Sequence, residues 1–367
     1  MNWGKKIGFF TAFLIPATAV TGYYLGGGWN YLAISLAFFI IPALDVVFGT
    51  DPANVPEEKI KQVSGEFFYR FVLYCWVYFQ LAFMGWGFYV AAFGQLYYWW
   101  EWFGFALSFA LVTGGIGITV AHELGHKKSK LERFYSKVLL MTVCYMHFYI
   151  EHNRGHHVHV ATPEDPATAK KGEDFYTFWV RSVFKGYMHA WKLENERMRR
   201  KGHSVFSSRN EMIWFTLLPL FFCALVTLGS SLYAGFIVWQ IPAFFFAQSL
   251  LAFTLLEQVN YIEHYGIVRK EIAPGKYERV NPVHSWNASQ IVSNFFLFQL
   301  QRHSDHHANA IKRYQVLYHY DESPQLPTGY SAMVILCLLP PLWFSIMNKR
   351  LEKWYGHDQV LNEQIHP

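Results

Sequence analysis

The chain has 367 residues, of which 53% are hydrophobic, 19% aromatic and only 16% charged, and its formal charge is +5. That positive surplus lacks the alternation of basic and stacking residues that RNA or DNA recognition requires, so nucleic acid is excluded as a partner. Cys75, Cys144, Cys223 and Cys337 are isolated and form no CxxC pair, so neither a thiolate metal site nor a disulfide framework is suggested.

A helix needs about 20 apolar residues to cross a hydrocarbon core of about 30 Å. Six runs meet that length, at 7–26, 29–48, 71–93, 102–121, 212–232 and 233–256. The first run follows Lys5 and Lys6 as a signal peptide would. However, no small-residue cleavage site comes after it and a second run begins at once, so it reads as a span. Basic residues precede the first and third runs (Lys5, Lys6, Lys59, Lys61, Arg70) and crowd the stretch from Lys127 to Arg209, whereas the connections near 27 and at 94–101 have none. The positive-inside rule then predicts that both termini and the large loop are cytoplasmic.

Between the spans, 51–66 reads as a loop or short surface helix. The run 136–150 is too short to cross and is expected to be re-entrant or interfacial, which keeps His126 and His152 on one side. Aromatic and basic residues interleave in 174–200 (Phe175, Trp179, Arg181, Lys185, Trp191, Lys192), as in an amphipathic helix at head-group level. The run 330–347 contains Pro340 and Pro341 and leads into Lys349, Arg350 and Lys353, so it too is expected to be interfacial. The predicted fold class is all-α: a polytopic membrane protein with six transmembrane helices and a cytoplasmic histidine-rich metal-binding cap. Its segments are 1–121 (spans one to four), 122–211 (histidine-rich with interfacial helices), 212–256 (spans five and six), 257–329 (histidine-rich) and 330–367 (interfacial).

Nine of the 17 histidines fall in four places: His122 and His126; His152, His156 and His157; His264; and His303, His306 and His307. On regular helices His122 and His126 share a face, as do His152 and His156, with His157 about 100° further round. The spacings of three and four from His303 likewise give one face. From Trp102 to His126 the fourth span would be about 36 Å long, which brings its histidines to the cytoplasmic boundary where the other three places can join them. His122-Glu123-Leu124-Gly125-His126 alone matches the HExxH zinc-protease signature, but a catalytic zinc takes three protein ligands and would leave most of the nine unused. A carboxylate di-iron site needs two Glu-x-x-His motifs on core helices. Here Glu123/His126 is one, and Glu363/His366 lies in the tail. Nine nitrogens suit two ions with four or five ligands each, and imidazole leaves iron, copper, zinc and nickel open. Glu123, Glu151, Glu263 and Asp305 stand beside the imidazoles and are candidates to hold their outer nitrogens. His147, His159, His189, His203, His284, His319, His357 and His366 receive no ligand role, with His284 the candidate for an outer group.

The segments HELGHK from His122, EHNRGHH from Glu151, NYIEHYG from Asn260 and LQRHSDHH from Leu300 resemble those of the integral-membrane alkane hydroxylases, within the wider membrane fatty-acid desaturase and hydroxylase group. The likeness runs from about the second span to Tyr330. Desaturases share the HxxxH and HxxHH logic, while NYIEHYG is more particular to the alkane hydroxylases. The resemblance implies a bacterial inner-membrane enzyme whose nine histidines hold a non-haem di-iron centre. It further implies O₂ as co-substrate, rubredoxin, itself served by a rubredoxin reductase, as electron donor, and insertion of one oxygen into the terminal carbon of a medium- or long-chain n-alkane. A membrane desaturase or lipid hydroxylase is the rival within enzymes. A transition-metal transporter is the rival outside them, and its ligands should lie along the spans. With neither a Cys₄ site nor a dinucleotide fingerprint, the chain needs a separate electron carrier. An alkane has no polar handle, so it must be held by shape in an apolar channel that reaches the metals and opens toward lipid. Counting back from His122 by helical spacing gives Ile118, Gly115, Gly114, Leu111 and Leu107 as its expected wall, with close helix packing as the alternative role for the glycines.

Overall fold

The computed structural model describes residues 3–365, with side chains to residue 356. The side chains of His357 and Glu363, and all of His366, lie outside the described residues. Among the described residues, six helices are long and apolar enough to cross a membrane: Trp3–Leu25, Gly27–Phe48, Phe67–Phe93, Trp99–Gly125, Glu211–Ala234 and Gln240–His264. All six expected spans are present, and the regular elements between them are helices joined by turns and irregular loops. The described strands are a small hairpin, Glu271–Ala273 with Lys276–Tyr277. One boundary differs from expectation. Tyr233 lies in the last turn of the fifth span instead of opening the sixth, because Gly235 takes a left-handed φ of 76° and terminates the helix at Ala234.

Successive spans alternate in direction, so the ends of the second, fourth and sixth gather with the starts of the first, third and fifth. That shared end carries all nine histidines. The run 136–150 does not cross. Lys130–Met141 is an amphipathic helix that doubles back on the end of the fourth span, where Ser136 Oγ donates to the Ala121 carbonyl at 2.6 Å. Its continuation is pinned by polar groups inside the bundle: Gln80 Nε2 donates to Thr142 Oγ1 (2.9 Å), Gln248 Nε2 to the Thr142 carbonyl (2.8 Å) and Thr113 Oγ1 to Gln248 Oε1 (2.8 Å). Polar side chains among apolar helices must find partners, and these four residues tie the returning segment to three spans. Cys144 then turns the chain at φ 52° toward the histidine-rich stretch.

The expected amphipathic helix is Phe175–Arg200, capped by Asp174, whose Oδ1 accepts from the N–H groups of Tyr176 and Thr177. It buries a stripe four residues apart, Phe178, Ser182, Gly186, Ala190, Glu194 and Met198. Glu194 binds Arg154 and Arg197 at 2.7 Å each and accepts from the Glu211 N–H at 2.9 Å. Burial pushes this carboxyl up, but Arg197, the Glu211 N–H and Arg154 outweigh it and hold it at about 2. Because the folded-state value lies below the ordinary one, the cluster's contribution to stability is present above the normal carboxylate range and fades as pH falls through about 4 toward 2. Glu194→Gln should cost roughly 2 kcal/mol at neutral pH. Thermal unfolding of the variant should also show a smaller loss of stability between pH 5 and pH 3 than the parent.

The run 330–347 forms two helices, Tyr330–Cys337 and Pro340–Ile365, broken where Pro340 and Pro341 can start a helix but not continue one. Trp343, Met347 and Leu351 of the second helix are fully buried in a cluster with Tyr261 and Tyr265, which fixes the histidine end of the sixth span.

Candidate metal centre

Two short π-helical turns shape the centre. Glu151–His156 is one of them, and hydrogen bonding to the fifth residue changes which side chains share a face. His152 and His157, five apart, become neighbours with Nε2 atoms 3.1 Å apart. His156, expected beside His152, turns to another group and lies 3.2 Å from His307. The expected His152/His156 pairing is therefore corrected by one extra residue in the turn. Gly155 makes the turn possible, since a Cβ there would stand 2.5 Å from the Glu151 carboxylate folded over it. Arg154, in the same turn, is the residue that Glu194 anchors.

The nine imidazoles form two groups. His122, His126, His152, His157 and His306 make one, and His156, His264, His303 and His307 the other. Within each group the possible ligand atoms all lie within 4.8 Å of one another. Neighbouring Nε2 atoms are 3.0 Å apart for His126–His152, 3.1 Å for His157–His306, 3.2 Å for His264–His303 and 2.8 Å for His303–His307. Two nitrogens at right angles on an ion, each about 2.1 Å from it, would be separated by about 3 Å. The adjacent pairs 156/157 and 306/307 are each divided between the groups, which holds the groups side by side.

The chemistry of the donor set tests the fit to metal. His156 Nδ1 faces Asp165 Oδ2 at 2.8 Å, so the ring proton sits on Nδ1 and Nε2 presents a bare lone pair to the other imidazoles. His122 Nε2 is buried without a hydrogen-bond partner. Burial and then the neighbouring imidazoles hold His126, His152, His157, His303, His306 and His307 well below the ordinary histidine value. Neutral rings with converging lone pairs are a repulsive arrangement unless cations lie between them, and the residues fit two metal ions on that ground.

The expected outer carboxylates fare differently. Glu123 is directed to Lys127 Nζ at 3.0 Å and the Tyr314 N–H at 3.3 Å. Glu151 is directed to His189 Nδ1 at 2.9 Å. Asp305 receives Lys312 Nζ and the Tyr318 N–H, both at 2.9 Å. These three brace the surrounding chain and not the ligand rings. On a helix, a residue next to a ligand points about 100° away from it, so proximity in sequence is a poor guide to an outer partner. Glu263 does reach a ring, but at its inner nitrogen: Oε2 lies 3.1 Å from His303 Nε2, while Oε1 accepts from Tyr330 Oη at 2.7 Å. His284 accepts from the Asn281 N–H within its own turn and contacts Glu278. The carboxylate that does hold an outer nitrogen is Asp165, which carries no signal at helical spacing because it lies in the loop between Pro163 and Pro166. Burial pushes Asp165 up, but His156 and Thr168 hold it at about 2. Asp165→Asn keeps the size but makes the hold on His156 ambiguous, and loss of such a partner typically costs 10–100-fold in metal affinity. Metal retention during a timed chelator challenge should fall by about that factor.

An apolar cavity reaches the centre from the spans. Its inner end is lined by His122, His152 and His303, and its outer wall by Ile15, Phe38 and Ile41 of the first two spans. Leu111, Gly114, Gly115 and Ile118 line it as well, and Leu107 is not among its lining residues. The second π turn, Leu111–Ile116, is the reason. The extra residue rotates everything before it out of the register counted from His122.

The fatty acid desaturase family model matches residues 97–335, which contain every one of these histidines. Alkane 1-monooxygenase 2 of Pseudomonas aeruginosa is 45% identical over 90% of this chain and 86% of its own length. Alkane 1-monooxygenase of Pseudomonas putida is 37% identical over 96% of this chain and 87% of its own. The xylene/toluene monooxygenase hydroxylase component of Pseudomonas putida is 27% identical over 93% and 89%. With relatives at this level of identity matched over about nine-tenths of its length, the chain belongs to the alkane 1-monooxygenase family.

Proposed function

We propose that this oxidoreductase converts medium- or long-chain n-alkanes to primary alcohols, consuming one O₂, two electrons and two protons for each alcohol and water formed. Two iron ions are the proposed cofactor. One would be held by His122, His126, His152, His157 and His306, the other by His156, His264, His303 and His307. When bound, they would supply the reduction of O₂ and the attack on an unactivated C–H bond. The observation that carries this reading is the apolar cavity that ends on rings from both histidine groups. A substrate without polar atoms can be held only by shape, and this cavity holds it in line with the metal-binding end while excluding water. Asp165 keeps the His156 ring in the tautomer whose Nε2 can serve as a ligand. A metal transporter would place its ligands along the spans, whereas here they gather at one end.

The proposed electron donor is rubredoxin, docking on the histidine-bearing face in the cytoplasm of a bacterial inner membrane. The positive-inside pattern and the basic character of that face support an acidic carrier. The decisive experiment supplies the purified, iron-loaded chain with rubredoxin, its reductase, a linear alkane and ¹⁸O₂. The expected product is a terminal alcohol with one ¹⁸O, formed more slowly as salt is raised at low carrier concentration. An alkene product would overturn the hydroxylase reading in favour of desaturation. A rate indifferent to ionic strength would overturn electrostatic docking.

A further inference from the structure

We propose that the histidine-bearing end also carries a binding site for the head group of an anionic phospholipid, in a cavity separate from the metal centre. This cavity, about 280 Å³, lies where the start of the first span, the connection 51–63 and the segment 289–302 meet. Its polar side presents three cations, Lys5, Lys59 and Arg302, against one carboxylate, Asp51. Asp51 is already engaged by Lys5 and by the Ala53 N–H at 3.0 Å. Arg302 is only 6% exposed. Its terminal nitrogens donate to the carbonyls of Leu317 (2.7 Å) and Asp51 (2.8 Å), while its buried Nε has no partner. Lys59 stands exposed at the rim and enters no ion pair among the described residues.

The same cavity holds three buried amide oxygens without a donor, those of Asn294, Gln299 and Gln315. Buried polar groups are normally satisfied, so cations and orphaned acceptors lining one space call for a ligand that brings both an anionic oxygen and hydrogen-bond donors. A phosphodiester with a hydroxyl-bearing head group, as in phosphatidylglycerol, has that combination. The other wall is apolar: Phe9, Val55, Val63, Ile291 and Phe295, with the Phe9 and Phe295 rings packed edge-on at 5.3 Å. Inorganic phosphate would use only the polar side, whereas a phosphate carrying acyl chains uses both. The position also suits a lipid. Lys5 is in the first turns of a span and Asp51 lies just past the end of the next, which is the level at which head groups lie, and basic pockets there select anionic lipids.

Native mass spectrometry of the delipidated full-length protein, titrated with phosphatidylglycerol, phosphatidylcholine of the same chains, and glycerol phosphate, tests this. Expected are one phosphatidylglycerol retained per chain, weaker retention of phosphatidylcholine, and an about fivefold loss of phosphatidylglycerol affinity in Lys59→Ala. Lys59→Arg should keep the affinity, and Lys349→Ala, exposed and outside the cavity, should leave it unchanged. Because Lys59 is exposed, these variants do not depend on refolding a core. Equal retention of the two lipids, or an unaltered Lys59→Ala, would overturn the site. Glycerol phosphate displacing phosphatidylglycerol at equal concentration would overturn its assignment to a membrane lipid.

Discussion

Replacing His264 with alanine should reduce iron from about two to about one per chain and abolish measurable turnover. His264 belongs to the smaller group, so its loss leaves three imidazoles, those of His156, His303 and His307, where the other group has five. It is fully buried at the end of the sixth span, with its Nε2 3.2 Å from that of His303. The loss of affinity should exceed the roughly 10–100-fold that removal of an outer partner costs. His156→Ala, which thins the same group, should match it in both readouts. His147→Ala is the control. His147 is also buried but meets the Tyr145 ring edge-on at 4.3 Å and lies outside both groups, so its variant should unfold more readily yet keep its iron. Two irons retained by folded His264→Ala protein would mean that His264 is not a required metal ligand. Elemental analysis of the purified protein, read alongside its melting curve, separates the two effects.

The parts of this architecture that were legible in the sequence are those governed by long-range composition. Twenty-residue apolar runs announce the six spans because lipid allows few other solutions, and the nine histidines announce their convergence because the alternation of spans sends all four places to one end. The parts that were not legible are governed by single residues. One inserted residue in each π turn regroups His156 and His157 and removes Leu107 from the cavity wall, and helical counting has no means of anticipating it. Glu123, Glu151 and Asp305 were expected to serve the ligand rings because they adjoin them in sequence. The structure turns them to Lys127, His189 and Lys312, while a loop aspartate nine residues from its histidine does that work. Arg154 escaped notice for a similar reason. Within the motif it looks like a spacer between ligands, yet its bond to buried Glu194 fastens the π turn to Phe175–Arg200.

Two adjacent glycines of the fourth span should respond to the same substitution in opposite ways. A Cβ on Gly114 would lie 2.5 Å from the carbonyl oxygen of Ala252 and 2.6 Å from its Cα, so Gly114 lets the fourth and sixth spans touch backbone to backbone. Backbone cannot move aside as a side chain can, and Gly114→Leu should depress folded yield severely. A Cβ on Gly115 would meet only the Leu111 side chain, at 3.2 Å, because this residue faces the apolar cavity. Gly115→Leu should therefore fold and fill space that a long alkane needs, while Ile118 and His122, nearer the metal-binding end, stay as they are. The channel role of this face is our proposal, and the expected result is a strong shift of the product ratio toward short alcohols in competition between a short and a long n-alkane, with iron content unchanged. Gly115→Ala, with a single methyl against a side chain that can yield, should shift the ratio in the same direction but less. An unchanged ratio in folded Gly115→Leu protein would remove the fourth span from the path of the substrate and leave the first and second spans, through Ile15, Phe38 and Ile41, as its wall.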